Sequence, residues 1–329
     1  MKVAIGQFQS LDEETAEYAR QLGVESIQVQ TPDIEDSGGY WEYESLRRIV
    51  EHCASFNLHL EAVENVPLSF MDDIIRGGPQ REEQLNNYCK TIRNVGKAGI
   101  AFLGHHFMPT SVWRTSMGAP ARGGATATAF DMELIDQGNA NISVKDVAPC
   151  EITEKELWNN YTVFLDHVLP VAEAAGVRLA LHPDDPPVPA IGKTARIFYS
   201  VDSLRRAQEI ASGSPAWGLD LCLGTVSEMV EGADAVRDAV STFGPAGNIC
   251  YVHFRQILGT NRQFVECFLG EGTYSPADTI RLLHEVGFDG FLLDDHVPRM
   301  THDSPWGHRS HAYAIGYIQA LIAACTNGK

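Results

Sequence analysis

The sequence predicts a closed (β/α)8 barrel, and three observations predict it. Eight short apolar, β-rich runs recur along the 329 residues, and helical patterns fill the intervals between them. The spacing also fits, because one β/α unit takes roughly 30 residues when about 250 residues make eight of them. A doubly wound open sheet is the competing architecture. Its first strand would lead into a Gly-x-Gly-x-x-Gly turn, and the run Val3 to Gln7 leads into no such turn.

In chain order the expected strands are Val3 to Gln7, Ser26 to Gln30, Leu58 to Glu64, Ile100 to Phe107, Arg178 to His182, Gly218 to Leu223, Ile249 to Phe254 and Gly290 to Asp294. The clearest helices are Pro79 to Lys97 and Glu154 to Ala175, each with acidic residues in its first turn, where they oppose the positive end of the helix dipole. Gly99, Gly176 and Gly287 stand just past predicted helices, where a left-handed closing residue is needed. One segment breaks the rhythm. Residues 109–149 hold few periodic apolar residues and include Gly118-Ala119-Pro120-Ala121-Arg122-Gly123-Gly124, so they are expected as an inserted loop or lid after strand four. No shift in composition marks a second domain, and residues 1–329 read as one barrel.

Composition narrows the function. Forty-three acidic residues against 25 basic ones give a net charge of −18, a field that repels nucleic acid and anionic membrane. The start, Met1 to Gln7, lacks the apolar core of a signal peptide. The longest apolar run, Ala312 to Cys325, is 14 residues, too short to span a bilayer. It is expected as a buried helix, packed on the barrel or on another subunit of a homo-oligomer. Seven cysteines with no Cys-x-x-Cys pair argue for free thiols in a reducing cytoplasm.

Chemistry-bearing residues collect where the predicted strands end, which in a barrel is the catalytic face. In Leu181-His182-Pro183-Asp184-Asp185-Pro186-Pro187 the prolines stop regular structure directly behind a histidine and two carboxylates. Cys222, His253 and Asp295 hold the same place in the next three units, at separations of 40, 31 and 42 residues. Two imidazoles, a thiolate and a carboxylate can hold one divalent transition metal, with zinc, iron(II), cobalt and manganese all suited to the set. Each residue alone has a plainer reading. Cys222 would be a small buried hydrophobe, His253 a satisfied core histidine, and Asp294 or Asp295 a helix cap. Their recurrence in four consecutive units argues against coincidence. Arg114 and Arg255 are candidates to hold a substrate carboxylate through bidentate guanidinium pairing. Asp184 and Asp185 are candidates to orient His182 or to contact substrate hydroxyls. His105 and His106 point to opposite sides if extended, so one of them, taken as His106, faces the cavity and the other faces helices.

These residues carry a resemblance to the mannonate dehydratase family, barrel enzymes of the xylose-isomerase-like superfamily. The similarity runs through Glu61-Ala62-Val63-Glu64-Asn65-Val66-Pro67, Asn87 to Asn94, Lys97-Ala98-Gly99-Ile100, Phe107-Met108-Pro109 and Trp113-Arg114-Thr115. It continues through His182 to Pro187, Tyr251-Val252-His253-Phe254-Arg255, Asp295-His296 and Arg299-Met300. The resemblance implies a lyase that removes water from D-mannonate, a small sugar acid, to give 2-keto-3-deoxy-D-gluconate. It implies His182, Cys222, His253 and Asp295 as metal ligands, Mn2+ or Fe2+ as the metal, and His296 in acid/base chemistry. The family also pairs its histidine with a tyrosine before the last helix. In Trp306 to Tyr313 the nearest, Tyr313, is shifted, leaving His308, Arg309 and His311 as substitutes. Two other functions fit a metal barrel: a sugar isomerase or epimerase, and a sugar-acid-binding protein without turnover.

Overall fold

The computed structural model of the chain describes residues 1–35, 37–136 and 150–326. Eight parallel strands close into a barrel, here numbered β1 (Lys2–Ile5), β2 (Ser26–Gln30), β3 (His59–Glu64), β4 (Phe102–His105), β5 (Arg178–Leu181), β6 (Trp217–Cys222), β7 (Ile249–His253) and β8 (Phe291–Leu293). Each strand pairs with its chain neighbours and β8 closes on β1, the order a right-handed β/α succession produces. The expected strands differ from these only at their ends. The first stops at Ile5, ahead of Gly6, where a side chain would run into Gln28, and of Gln7, which turns with a left-handed φ of 65°.

The lumen is a packed core. Ala4, Ala62 and Ala180 leave room for Tyr251, Phe291 and Leu293, and the Tyr251 and Phe291 rings stack with centroids 4.9 Å apart. Gly104 on β4 is part of the same fit. A Cβ there would lie 2.7 Å from the Tyr251 hydroxyl.

Around the barrel, helix Glu154–Ala175 begins as its sequence dictates, with Thr153 and Glu156 capping each other, and closes on Gly176 at φ 69°. It packs on helix Arg81–Lys97 through an edge-to-face contact of Tyr88 and Phe164, at 5.1 Å. The last helix spans His308–Thr326 and buries a stripe rather than its whole surface. Ala314, Ile315 and Ile318 are buried, while Leu321, Ile322 and Cys325 are only partly covered. The helix expected at 312–325 is thus packed on the barrel along one stripe. No described helix is long and apolar enough to cross a membrane.

The segment after β4 is more ordered than its composition suggests. Ser116–Pro120 and Thr126–Asp131 form a hairpin, and the second strand pairs antiparallel with Gln263–Cys267 of a second hairpin that follows β7. The result is a four-stranded antiparallel sheet at the catalytic end, with Trp113, Phe130, Ile257 and Phe264 in a small core of its own. A local reading sees loop chemistry because the pairing partner lies far along the chain, beyond any sequence window. The remainder of the expected insertion, residues 137–149, lies outside the described residues.

Candidate metal centre and active site

His182 follows β5 directly, and its backbone N–H donates to the His105 carbonyl at 2.9 Å. Its Nδ1 lies 2.6 Å from the Pro183 carbonyl. A carbonyl can only accept, so Nδ1 carries a proton and Nε2 is the nitrogen turned to the Cys222 sulfur. Cys222 and His253 end β6 and β7 and pair with each other in register, which sets their side chains beside one another. Ligand atoms of His182, Cys222 and His253 all lie within 4.8 Å of one another, and all three residues are buried.

The donor set fits a metal ion. His253 makes no well-formed hydrogen bond through either ring nitrogen, although the Cys222 sulfur and three carboxylates surround the buried ring, an arrangement suited to a bound cation. The Cys222 thiol is held well below its ordinary pKa. Burial raises it, but the Arg255 guanidinium and hydrogen bonds from His182 and His253 outweigh burial and favour the thiolate. Asp295 stands beside the trio, with Oδ2 3.8 Å from His253 Nδ1.

A cavity of about 650 Å³ opens over this cluster, lined among others by His106, Arg114, His182, Asp185, Asp295 and His296. That volume is ample for a six-carbon acid. His106 and His105 diverge as expected. His106 faces the cavity and is kept neutral, its pKa pushed down to about 4 by burial first and then by His182 and Arg196. His105 is buried against Tyr161 and Phe164.

The two arginines are placed differently from expectation. Arg255 does not line the cavity. Its Nε donates to Asp295 at 3.0 Å, and its terminal nitrogens donate to Glu228 at 2.9 Å, to Glu266 at 3.0 Å and to Asp185 at 2.8 Å. Arg114 reaches the cavity wall with its donors turned to Asp185, a two-pronged contact, and to Glu266 at 2.9 Å. Both guanidiniums therefore hold protein carboxylates. Asp184 also serves the fold, since its Oδ2 accepts from the backbone of Ile197 and Phe198, both at 2.8 Å, and it does not line the cavity.

The buried charges of this network balance. Glu228 has a pKa well above the carboxylate range through burial and the neighbouring Asp185. Asp185 and Glu266 lie below that range, because the arginines outweigh the burial that would raise them. Asp295 is low as well, with His296 the largest influence against burial. For His296, burial would depress the pKa, but Asp295 and Glu266 prevail and hold it above the ordinary imidazole value. Arg114, Arg255 and His296 thus face Asp185, Glu266 and Asp295. Such compensation is what a set of ions out of water requires.

Four acidic residues of the site escape a reading by motif. Asp220 sits two positions before Cys222 on β6, and Glu64 ends β3 with its carboxylate at the cavity; together with His253 their ligand atoms again lie within 4.8 Å of one another. Strand periodicity alone would have put Asp220 on the Cys222 face. Glu228 and Glu266 give no local signal. The residues weighed as stand-ins for a tyrosine are engaged elsewhere. Tyr313 donates to the Leu269 carbonyl, His311 pairs with Asp294, His308 meets Ser304, and Arg309 donates to the Thr301 carbonyl. No tyrosine is among the described residues lining the cavity.

Comparison with known proteins agrees with this geometry. The chain is 29% identical to mannonate dehydratase 2 of Halalkalibacterium halodurans, over 100% of this chain and 98% of that one. It is 30% identical to the mannonate dehydratase of Bacillus subtilis, over 96% of this chain and 92% of the relative. The crystal structure of mannonate dehydratase from Streptococcus suis serotype 2 superposes with a TM-score of 0.88 at 26% identity, covering 100% of this chain and 96% of that one. An L-ribulose 3-epimerase structure, at 17% identity and TM-score 0.62, shares the fold. The model of the D-mannonate dehydratase (UxuA) family matches residues 1–329, and the chain belongs to that family.

Proposed function

We propose that this chain dehydrates D-mannonate to 2-keto-3-deoxy-D-gluconate at one divalent metal, Mn2+ or Fe2+, held by His182, Cys222, His253 and Asp295. The family makes it a hydro-lyase acting on a sugar acid. The observation that carries the metal reading is the buried cluster of two imidazoles and a thiolate at the barrel mouth, under a cavity of about 650 Å³.

The reaction removes a weakly acidic proton beside the carboxylate and expels hydroxide, a poor leaving group. When bound, the metal supplies Lewis acidity toward the substrate's oxygens. His182 presents Nε2 because Pro183 holds its Nδ1 proton, and the thiolate of Cys222 is ready to ligate without first losing a proton. His296 sits on the cavity wall with Nδ1 3.1 Å from Glu266 and Nε2 3.5 Å from Asp295. Its raised pKa suits it to carry a proton to the departing hydroxyl oxygen. With both arginines occupied, the substrate's carboxylate is left to the metal and the polar cavity wall. Seven free cysteines, one of them a ligand, suit a reducing compartment such as the cytoplasm.

The lack of a tyrosine among the described cavity-lining residues favours one second reading, a sugar-acid-binding protein without turnover. The test is an assay of purified protein loaded with Mn2+ or Fe2+ under reducing conditions. A keto-deoxy product from D-mannonate supports the proposal. Turnover without that product points to an isomerase, and binding without reaction to a sensor.

A further inference from the structure

The metal reading leaves two carboxylates unexplained. Asp220 is fully buried on β6 and does not line the cavity, so it touches no substrate, and neither of its oxygens makes a well-formed hydrogen bond. Glu64, on the other side of the lumen, is anchored by Gln28 and by the amides of Gln7 and Asn65, each at 3.4 Å. Both carboxylates point at one atom. His253 Nε2 lies 3.4 Å from Glu64 Oε2 and 3.5 Å from Asp220 Oδ1, while Nδ1 of the same ring faces Asp295 at 3.8 Å.

An imidazole that ligates through one nitrogen needs its other nitrogen protonated and held, because that hydrogen bond fixes both the tautomer and the ring plane. We propose that Asp220, with Glu64, is the positioning pair for His253: the two carboxylates receive Nε2–H from behind and turn Nδ1 toward Asp295 and the metal. The division of labour follows from the partners. Glu64 is held by three amides and defines where the ring must go, whereas Asp220 receives no amide and has the imidazole and the buried Tyr251 hydroxyl beside it. His182 uses the same device with a single carbonyl, that of Pro183.

This inference rests on His253 being a ligand, and the experiment separates the two. Binding of Mn2+ to the metal-free full chain is followed through the electron paramagnetic resonance signal of free aqueous Mn2+, for wild type, Asp220→Asn and His253→Ala. The expected result is one ion per wild-type chain, about 10- to 100-fold weaker binding in Asp220→Asn, and loss of tight binding in His253→Ala. Melting of the metal-free Asp220→Asn protein should match or exceed wild type, since the change removes a buried charge and keeps an oxygen that can accept from the Tyr251 hydroxyl and the His253 ring. A lower melting temperature with wild-type Mn2+ affinity would mean a merely structural role and overturn the proposal. Two ions per wild-type chain, one of them lost in Asp220→Asn, would overturn it by making the carboxylates ligands. Full Mn2+ binding by His253→Ala would instead sink the metal reading itself. Co2+ titration adds a check of place, because the thiolate-to-cobalt absorption should persist in Asp220→Asn at a higher midpoint concentration.

Discussion

Glu266 meets His296 Nδ1 at 3.1 Å, although one residue belongs to the hairpin after β7 and the other follows β8. The same carboxylate is gripped by Arg114 and Arg255, so it has little freedom to leave the imidazole. Replacement by glutamine keeps an acceptor but removes the charge that favours imidazolium. Glu266→Gln should lower kcat about 10- to 100-fold with bound metal unchanged. Parallel measurement of kcat and metal content checks this; equal kcat would deny Glu266 any part in holding the proton on His296.

Removing His296 itself is the sharper version. His296→Asn should abolish turnover while metal content persists, because its ring meets Glu266 and the Oδ1 of Asp295, whereas Oδ2 is the oxygen turned toward His253. Elemental analysis beside an activity assay separates the proton role from a metal role.

Cys222→Ser exchanges a thiolate for a hydroxyl that is neutral at any working pH. The thiolate is stabilised by Arg255 and the two histidines, and none of these can ionise serine to the same degree. Metal retained after dialysis should fall well below one per chain. Unchanged stoichiometry in this variant would refute Cys222 as a ligand.

Gly104 sits where a methyl group would press on the Tyr251 hydroxyl at 2.7 Å and on Glu64 Cα at 3.1 Å. Gly104→Ala should cost about 1–3 kcal/mol of stability, read from denaturant unfolding. In the double variant with Tyr251→Phe, part of that loss should return, since the clashing oxygen is gone.

Asp303 accepts from the backbone of Ser304, Arg309 and Ser310 and from the Ser310 hydroxyl, anchoring the start of the last helix. Its pKa is lowered, with burial opposing and these hydrogen bonds prevailing. A depressed carboxylate stabilises fully above its unfolded pKa and loses that contribution as pH falls through the folded value. Asp303→Ala should therefore cost about 1 kcal/mol at neutral pH. The gap from wild type should shrink once pH drops below about 3.9, the unfolded aspartate value. Unfolding curves at pH 7 and pH 3 test the sign.

Much of this protein is decided locally. The eight strands, the helix Glu154–Ala175 with its cap and its closing glycine, and the recurrence of His182, Cys222, His253 and Asp295 at strand ends follow from periodicity and spacing, because each β/α unit folds on its own neighbours. Asp220 was missed, although it stands two positions from Cys222 on one strand face. The partners of the arginines are not legible locally. Arg114 and Arg255 carry the guanidiniums that a sugar-acid site suggests, yet the barrel brings Asp185, Glu228 and Glu266 onto them from a loop, a short helix and a strand that follow three different barrel strands. The four-stranded sheet at the mouth likewise joins hairpins that follow β4 and β7. Tertiary structure alone settled these because a buried charge takes whichever opposite charge the closed barrel sets beside it, and a strand takes whichever edge lies open. Neither choice leaves a trace in the residues next to it in the chain.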